Sequence, residues 1–254
     1  MKSKKLKIAA ISLATISVIS GILYYQYGLK KPYDYADYYV DVPTSENTKK
    51  ANNEEASEKE LSLSLLKKTN SDIVGILEFD NRVIYEPIVQ APDNDYYVRK
   101  NIEKKYSAAG IPFISSDGNI NSKNVVVYGH SSKWNNILFT PLMNYTSYDY
   151  YKGHPTFKFI TESETRTYKI FCVMNIDLNN LDDSLEFSNS SWRSDIDFSA
   201  FISSSLNNSL YKTGATANTS DSLMTLVTCD TRDNNKRIVV ITKLIQDDFA
   251  ALCC

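Results

Sequence analysis

Histidine and metal-type cysteine spacing are what this 254-residue chain lacks: only His130 and His154 occur, and Cys172, Cys229, Cys253 and Cys254 are scattered or adjacent. Two histidines and such thiols do not complete a zinc set, so neither a metal nor a cofactor is expected. Cys253 and Cys254 sit side by side at the end, where a vicinal disulfide is strained, and they read as a frayed tail. A basic surplus is missing too. Six of the 28 basic residues (Lys2, Lys4, Lys5, Lys7, Lys30, Lys31) fall in residues 1–31, which hold no acid, leaving 22 basic against 30 acidic residues, near −8, in the remainder. An acidic body argues against a phosphate backbone as partner, so no nucleic acid is expected. No internal repeat is visible.

The longest apolar stretch runs from Ile8 to Tyr25, at the lower end of the roughly 17–25 residues that cross a bilayer. Four lysines precede it and no small-x-small cleavage pattern follows. The expectation is an uncleaved signal-anchor over 8–27, with a cytoplasmic tail at 1–7 and the body outside the cell membrane. Residues 28–56 contain few large apolar residues and read as a stalk. A catalytic domain over 57–246 and a tail over 247–254 complete the division.

At Ser57-Glu58-Lys59-Glu60 a capping-box pattern precedes Leu61, Leu65 and Leu66, which predicts a short amphipathic helix. Beyond it, β-branched and aromatic runs over 83–89, 125–128, 156–160, 167–173, 223–228 and 238–245 alternate with Asn, Asp, Gly and Pro. They predict short strands without a helix after each, hence a mainly β protein with an antiparallel or mixed barrel. Two helices are expected among them. One lies around 133–143, and the other follows Ser194, where Phe198, Phe201, Ile202 and Leu206 form a stripe.

Three reactive side chains stand at the ends of these runs: Cys229 after Thr225-Leu226-Val227-Thr228, His130 after Tyr128-Gly129, and Arg237 opening the run after Lys236. A thiol is a nucleophile as thiolate, which imidazolium and guanidinium favour, and an arginine beside it can steady an oxyanion. The set fits acyl transfer. Each residue also has a plainer reading: Cys229 a packed thiol, His130 a turn histidine, Arg237 an edge arginine paired with Asp230 or Asp233. His154, in Gly153-His154-Pro155, reads as structural, and Cys172, inside an apolar run, as inert.

Taken together, Asn70-Ser71-Asp72-Ile73-Val74-Gly75, Pro87-Ile88-Val89-Gln90 with Asp93-Asn94-Asp95-Tyr96-Tyr97, Tyr128-Gly129-His130, His154-Pro155, Thr225–Cys229 and Lys236–Val240 resemble a class B sortase, a membrane-anchored cysteine transpeptidase of Gram-positive bacteria. The resemblance spans most of 66–246. It implies a closed β-barrel with amino-terminal helices and a helix before the nucleophile strand. It also implies that Cys229 is the nucleophile, His130 the general acid/base and Arg237 the oxyanion or substrate stabiliser. The activity implied is cleavage after Thr of a carboxyl-terminal sorting signal, of Asn-Pro-x-Thr type, through a thioester. Transfer to an amine of a peptidoglycan precursor or pilin then follows. Class B members commonly carry Asn-Met after Gly-His and serine two places before the nucleophile, where this chain has Ser131-Ser132 and Val227. Ser131, Val227 and Thr228 are therefore candidates for lining the peptide groove. A hydrolytic cysteine peptidase and a non-catalytic adhesin or scaffold stand as alternatives, separable by product analysis with an added amine and by Cys229→Ala.

Overall fold

The computed structural model describes residues 33–43, 57–179 and 186–249. Ten strands run in chain order: β1 (Tyr39–Pro43), β2 (Ser57–Leu61), β3 (Ile73–Phe79), β4 (Tyr85–Gln90), β5 (Phe113–Ile114), β6 (Asn124–Tyr128), β7 (Thr156–Ile160), β8 (Glu164–Asp177), β9 (Leu223–Cys229) and β10 (Lys236–Phe249). Eight close a barrel in the order β10-β8-β7-β3-β4-β5-β6-β9, and β1 and β2 form a separate antiparallel pair. The barrel is mixed, since β4 with β5 and β6 with β9 are parallel. This is the mainly β closed barrel expected.

The continuous apolar runs have a simple cause. Val125, Val126 and Val127 are all buried because both faces of β6 are covered. Val125 and Val127 join Leu226, Ile238 and Val240 inside the barrel. Val126 packs with Val227, Val239 and Ile241 under α3 (Asp195–Asn207), the helix expected before the nucleophile strand. Ser194 caps α3 by accepting from Asp197 N. Phe198, Phe201 and Ile202 are buried as the stripe predicts, each worth about 1.5–3 kcal/mol of apolar burial.

Several local expectations need correcting. The Ser-x-x-Glu pattern at Ser57 starts a strand, β2, paired to β1; α1 (Leu63–Thr69) begins six residues later, with Ser62 accepting from Leu65 N. Pairing with β1, together with the ion pairs of Glu58 and Glu60 to Arg82 at 3.1 and 3.7 Å, outweighs the capping pattern. Residues 39–43, within the expected stalk, thus belong to a hairpin, while 1–32 and 44–56 lie outside the described residues. The helix expected over 133–143 is a loop, then a 3-10 segment (Thr140–Thr146) and α2 (Tyr148–Gly153), with Pro141 in the first turn of the 3-10 segment. The expected localisation is also corrected: among the described residues no helix is long and apolar enough to cross a membrane. The apolar run over 8–27, with the tails at 1–7 and 250–254, lies outside the described residues.

Candidate active site

Strand register brings the three residues together. Cys229, last in β9, pairs directly with Arg237 in β10. On the other side of β9, Tyr128 of β6 pairs with Val227, and Gly129 N donates to the Val227 carbonyl at 3.1 Å, so His130 continues alongside Cys229. Side chains alternate along a strand. Cys229 therefore shares the face of Val227, Arg237 that of Val239 and Ile241, and His130 that of Val126 and Tyr128, which is the outer face that α3 covers. Beyond the end of α3 this face opens. There His130, Cys229 and Arg237 line one cavity of about 460 Å³, and all three side chains are half-buried.

Two side chains tie the strand ends together past the backbone ladder. Ser131 Oγ donates to the Cys229 carbonyl at 2.6 Å, and Thr228 Oγ1 to the Gly129 carbonyl at 2.7 Å. Of the three groove candidates, Val227 and Thr228 line this cavity, and Ser131 bonds the Cys229 backbone. Gly129 is required for close packing, because a Cβ there would lie 2.6 Å from the Phe139 ring. Phe139 N in turn donates to the His130 carbonyl at 3.0 Å.

His130 Nε2 lies 3.0 Å from the Val98 carbonyl. A carbonyl only accepts, so Nε2 carries a hydrogen and Nδ1 is the proton-accepting atom of the neutral ring. Burial, aided by the Arg99 charge, holds the imidazole below its ordinary value of 6.5, against the hydrogen bond to Val98, which pulls upward. Arg237 Nη1 donates to the carbonyls of Asn234 and Lys236 at 2.8 and 2.9 Å. The plainer reading of Arg237 fails at Asp230, whose carboxylate is taken by Arg232, at 2.9 and 2.7 Å, and by Asn175 at 3.0 Å. These bonds hold it below the usual carboxylate range. Cys172 is fully buried, donates to the Ser205 carbonyl and is pushed by burial up to about 12. His154 stacks on Tyr150 and bonds its carbonyl.

The remaining walls were not singled out from sequence. Asn94, Val98, Ile111 and Phe113 come from the segment around and after β4, and Leu178 and Phe187 from the connection between β8 and α3. Tyr97 pins the first segment: its hydroxyl donates to Asp72 at 2.7 Å and accepts from Asn70 at 2.8 Å, while Lys104 pairs with Asp72 at 2.9 Å. The Asn70-Ser71-Asp72 motif thus serves to hold the loop that carries Val98 against His130. Among the described residues no cluster of His, Cys, Asp and Glu is placed to hold a metal.

A Sortase domain profile matches residues 88–245. Sortase B of Listeria monocytogenes is 30% identical over 184 residues, 71% of this chain and 72% of that protein. The X-ray structure of Clostridium perfringens sortase B superposes with a TM-score of 0.67 at 28% identity, over 73% of this chain and 100% of that one. A Staphylococcus aureus sortase B–substrate complex gives 0.65 at 24% identity, over 72% of this chain and 84% of that one, and speaks for the fold.

Proposed function

Because the chain belongs to the sortase family of cysteine transpeptidases, we propose that Cys229 is its nucleophile, His130 its general acid and base, and Arg237 its oxyanion and substrate stabiliser. The observation that carries this is the direct pairing of Cys229 with Arg237, with His130 on the adjoining strand end and all three on one cavity. The Cys229 thiolate attacks the threonine carbonyl of a carboxyl-terminal sorting signal, and negative charge gathers on the oxygen beside the Arg237 guanidinium. Protonated His130 gives its Nδ1 proton to the departing amine, and a thioester remains. An amine, from a peptidoglycan precursor or a pilin, then attacks the thioester and returns a proton to the imidazole. Since burial depresses His130, its protonated form is the minor one at neutral pH.

The apolar walls Ile111, Phe113, Tyr128 and Val227, with the polar Asn94, suit an Asn-Pro-x-Thr peptide, whose proline seeks apolar contact and whose asparagine seeks a polar one. The unit that does this work is the domain over 57–246. Incubating the protein with such peptides, with and without triglycine, and trapping the adduct for mass spectrometry tests the reading. A thioester on Cys229 and an amine-dependent product are expected; an adduct on Cys172, or none, overturns it.

A further inference from the structure

Gly110 is buried and left-handed, with a φ of +64°, a conformation that glycine adopts without steric cost. Conformation is only part of what this position demands. A Cβ here would lie 2.6 Å from the Val98 carbonyl oxygen and 2.9 Å from that of Tyr97, so any side chain must push the Val98 oxygen away. That oxygen is the one that meets His130 Nε2 at 3.0 Å. Gly214 shows that the two demands are separable: its φ is +75°, yet a Cβ there would meet nothing within 4 Å. Other contacts hold the same carbonyl in place. The preceding residue, Tyr97, is fully buried, with its hydroxyl bonded to Asp72 and Asn70. Its carbonyl accepts from Ile111 N at 3.4 Å, which ties it to the segment of Gly110. Ala109 packs with Ile137 and Leu138, in the loop that leaves His130 and returns where Phe139 N meets the His130 carbonyl. Arg99, whose charge acts on the ring, donates to the Ala108 carbonyl, while Cys229 and Arg237 share the cavity that the ring lines.

We infer that Tyr97 and Gly110 are positioning residues for the general acid and base: they fix the Val98 carbonyl so that His130 keeps its hydrogen on Nε2 and leaves Nδ1 to take up and give back the proton. The inference rests on the role proposed for His130. A neutral imidazole holds one hydrogen and can place it on either nitrogen. With the carbonyl displaced, the preference for Nε2 is lost. Rings that then carry their hydrogen on Nδ1 have no lone pair there to receive the proton of the attacking amine. The fixed carbonyl also opposes burial, because its bond favours the protonated ring from which the leaving amine takes its proton.

The chain's two histidines make this measurable. His154 Nδ1 lies 2.9 Å from the Tyr150 carbonyl, so its hydrogen sits on Nδ1, opposite to His130. In the full chain with isotope-labelled histidine, NMR at alkaline pH gives one neutral ring of each tautomer, and His130→Gln assigns them. Gly110→Ala and Tyr97→Phe each turn His130 into a mixture of tautomers, while His154 keeps its form and reports that the fold is intact. Thioester formation with an Asn-Pro-x-Thr donor slows about ten- to hundredfold in both. Gly214→Ala carries the backbone strain without the close approach, and it leaves the His130 tautomer and the rate at wild type. Should Gly110→Ala not fold, Tyr97→Phe decides. An unchanged His130 tautomer in the folded variants, with or without a loss of rate, overturns this inference alone. Failure of the wild type to form a thioester, or a wild-type rate in His130→Gln, overturns the reading of the site and this inference with it.

Discussion

Cys172 and Cys229 occupy the same face of the same sheet, each beside β10, Cys172 opposite Ile241 and Cys229 opposite Arg237. One lies under α3 with its thiol given to the Ser205 carbonyl, fully buried and pushed up to about 12. The other stands where the sheet extends beyond the helix, half-buried, among an imidazole and a guanidinium. Backbone setting is nearly the same for both. Coverage by α3, together with the charge of the facing residue, distinguishes the setting of Cys172 from that of Cys229, the proposed nucleophile.

The most severe way to break this contrast is to remove each thiol in turn. Cys229→Ala is expected to lower transpeptidation by at least ~10³-fold with the melting temperature little changed. Cys172→Ala should leave the rate near wild type and destabilise by about 1–2 kcal/mol through lost packing and hydrogen bonding. Iodoacetamide mapping then reads the same difference chemically, with alkylation at Cys229 and not at Cys172 in the folded protein.

Arg237→Ala is the next largest. Loss of the group facing the thiol should cost about 10²–10³-fold in kcat/KM, with Arg237→Lys recovering part of it, as steady-state kinetics will register.

His130 sharpens the comparison through pH. Its imidazole is held below 6.5 in the folded state by burial, so between that lowered value and 6.5 the unfolded chain binds more protons. Stability therefore rises with pH through this window and falls on acidification below 6.5. Chemical denaturation between pH 5 and 7 should show this slope, and His130→Gln should flatten it. NMR titration of the ring should give a midpoint below 6.5.

Smallest is Ser131→Ala. With the bond to the Cys229 carbonyl gone, kcat should fall about three- to tenfold with donor KM unchanged, and Ser131→Thr should restore it. A shift in KM alone would instead return Ser131 to the peptide groove.

The barrel was legible because its strands are buried on two faces and so spell continuous apolar runs, such as Val125–Val127. The site was legible for a related reason: His130, Cys229 and Arg237 each interrupt such a run at its end, where a buried strand meets polar chain. Strand limits were less clear. β8 and β10 each extend to 14 residues, because polar residues beyond the apolar runs also pair across the two strands, Glu164–Arg166 with Asp247–Phe249 and Asp177 with Lys236. β3 passed unnoticed as a strand behind a motif read for its family likeness, and the two-residue β5 offers no periodicity. Nothing local marks Asn94, Val98 or Phe113 as walls, since only Tyr97 anchored on Asp72 delivers their segment to the cavity.

Barrel closure has one consequence for biosynthesis. His130 and Cys229 meet through the parallel join of β6 with β9, and Arg237 arrives on β10, the last strand. Contacts so far apart along the chain form late. On the proposed assignment of Cys229, a ribosome-bound or truncated polypeptide lacking β10 carries the thiol without Arg237 or the strand that pairs with it, so the thiol stays silent until synthesis of the domain is complete.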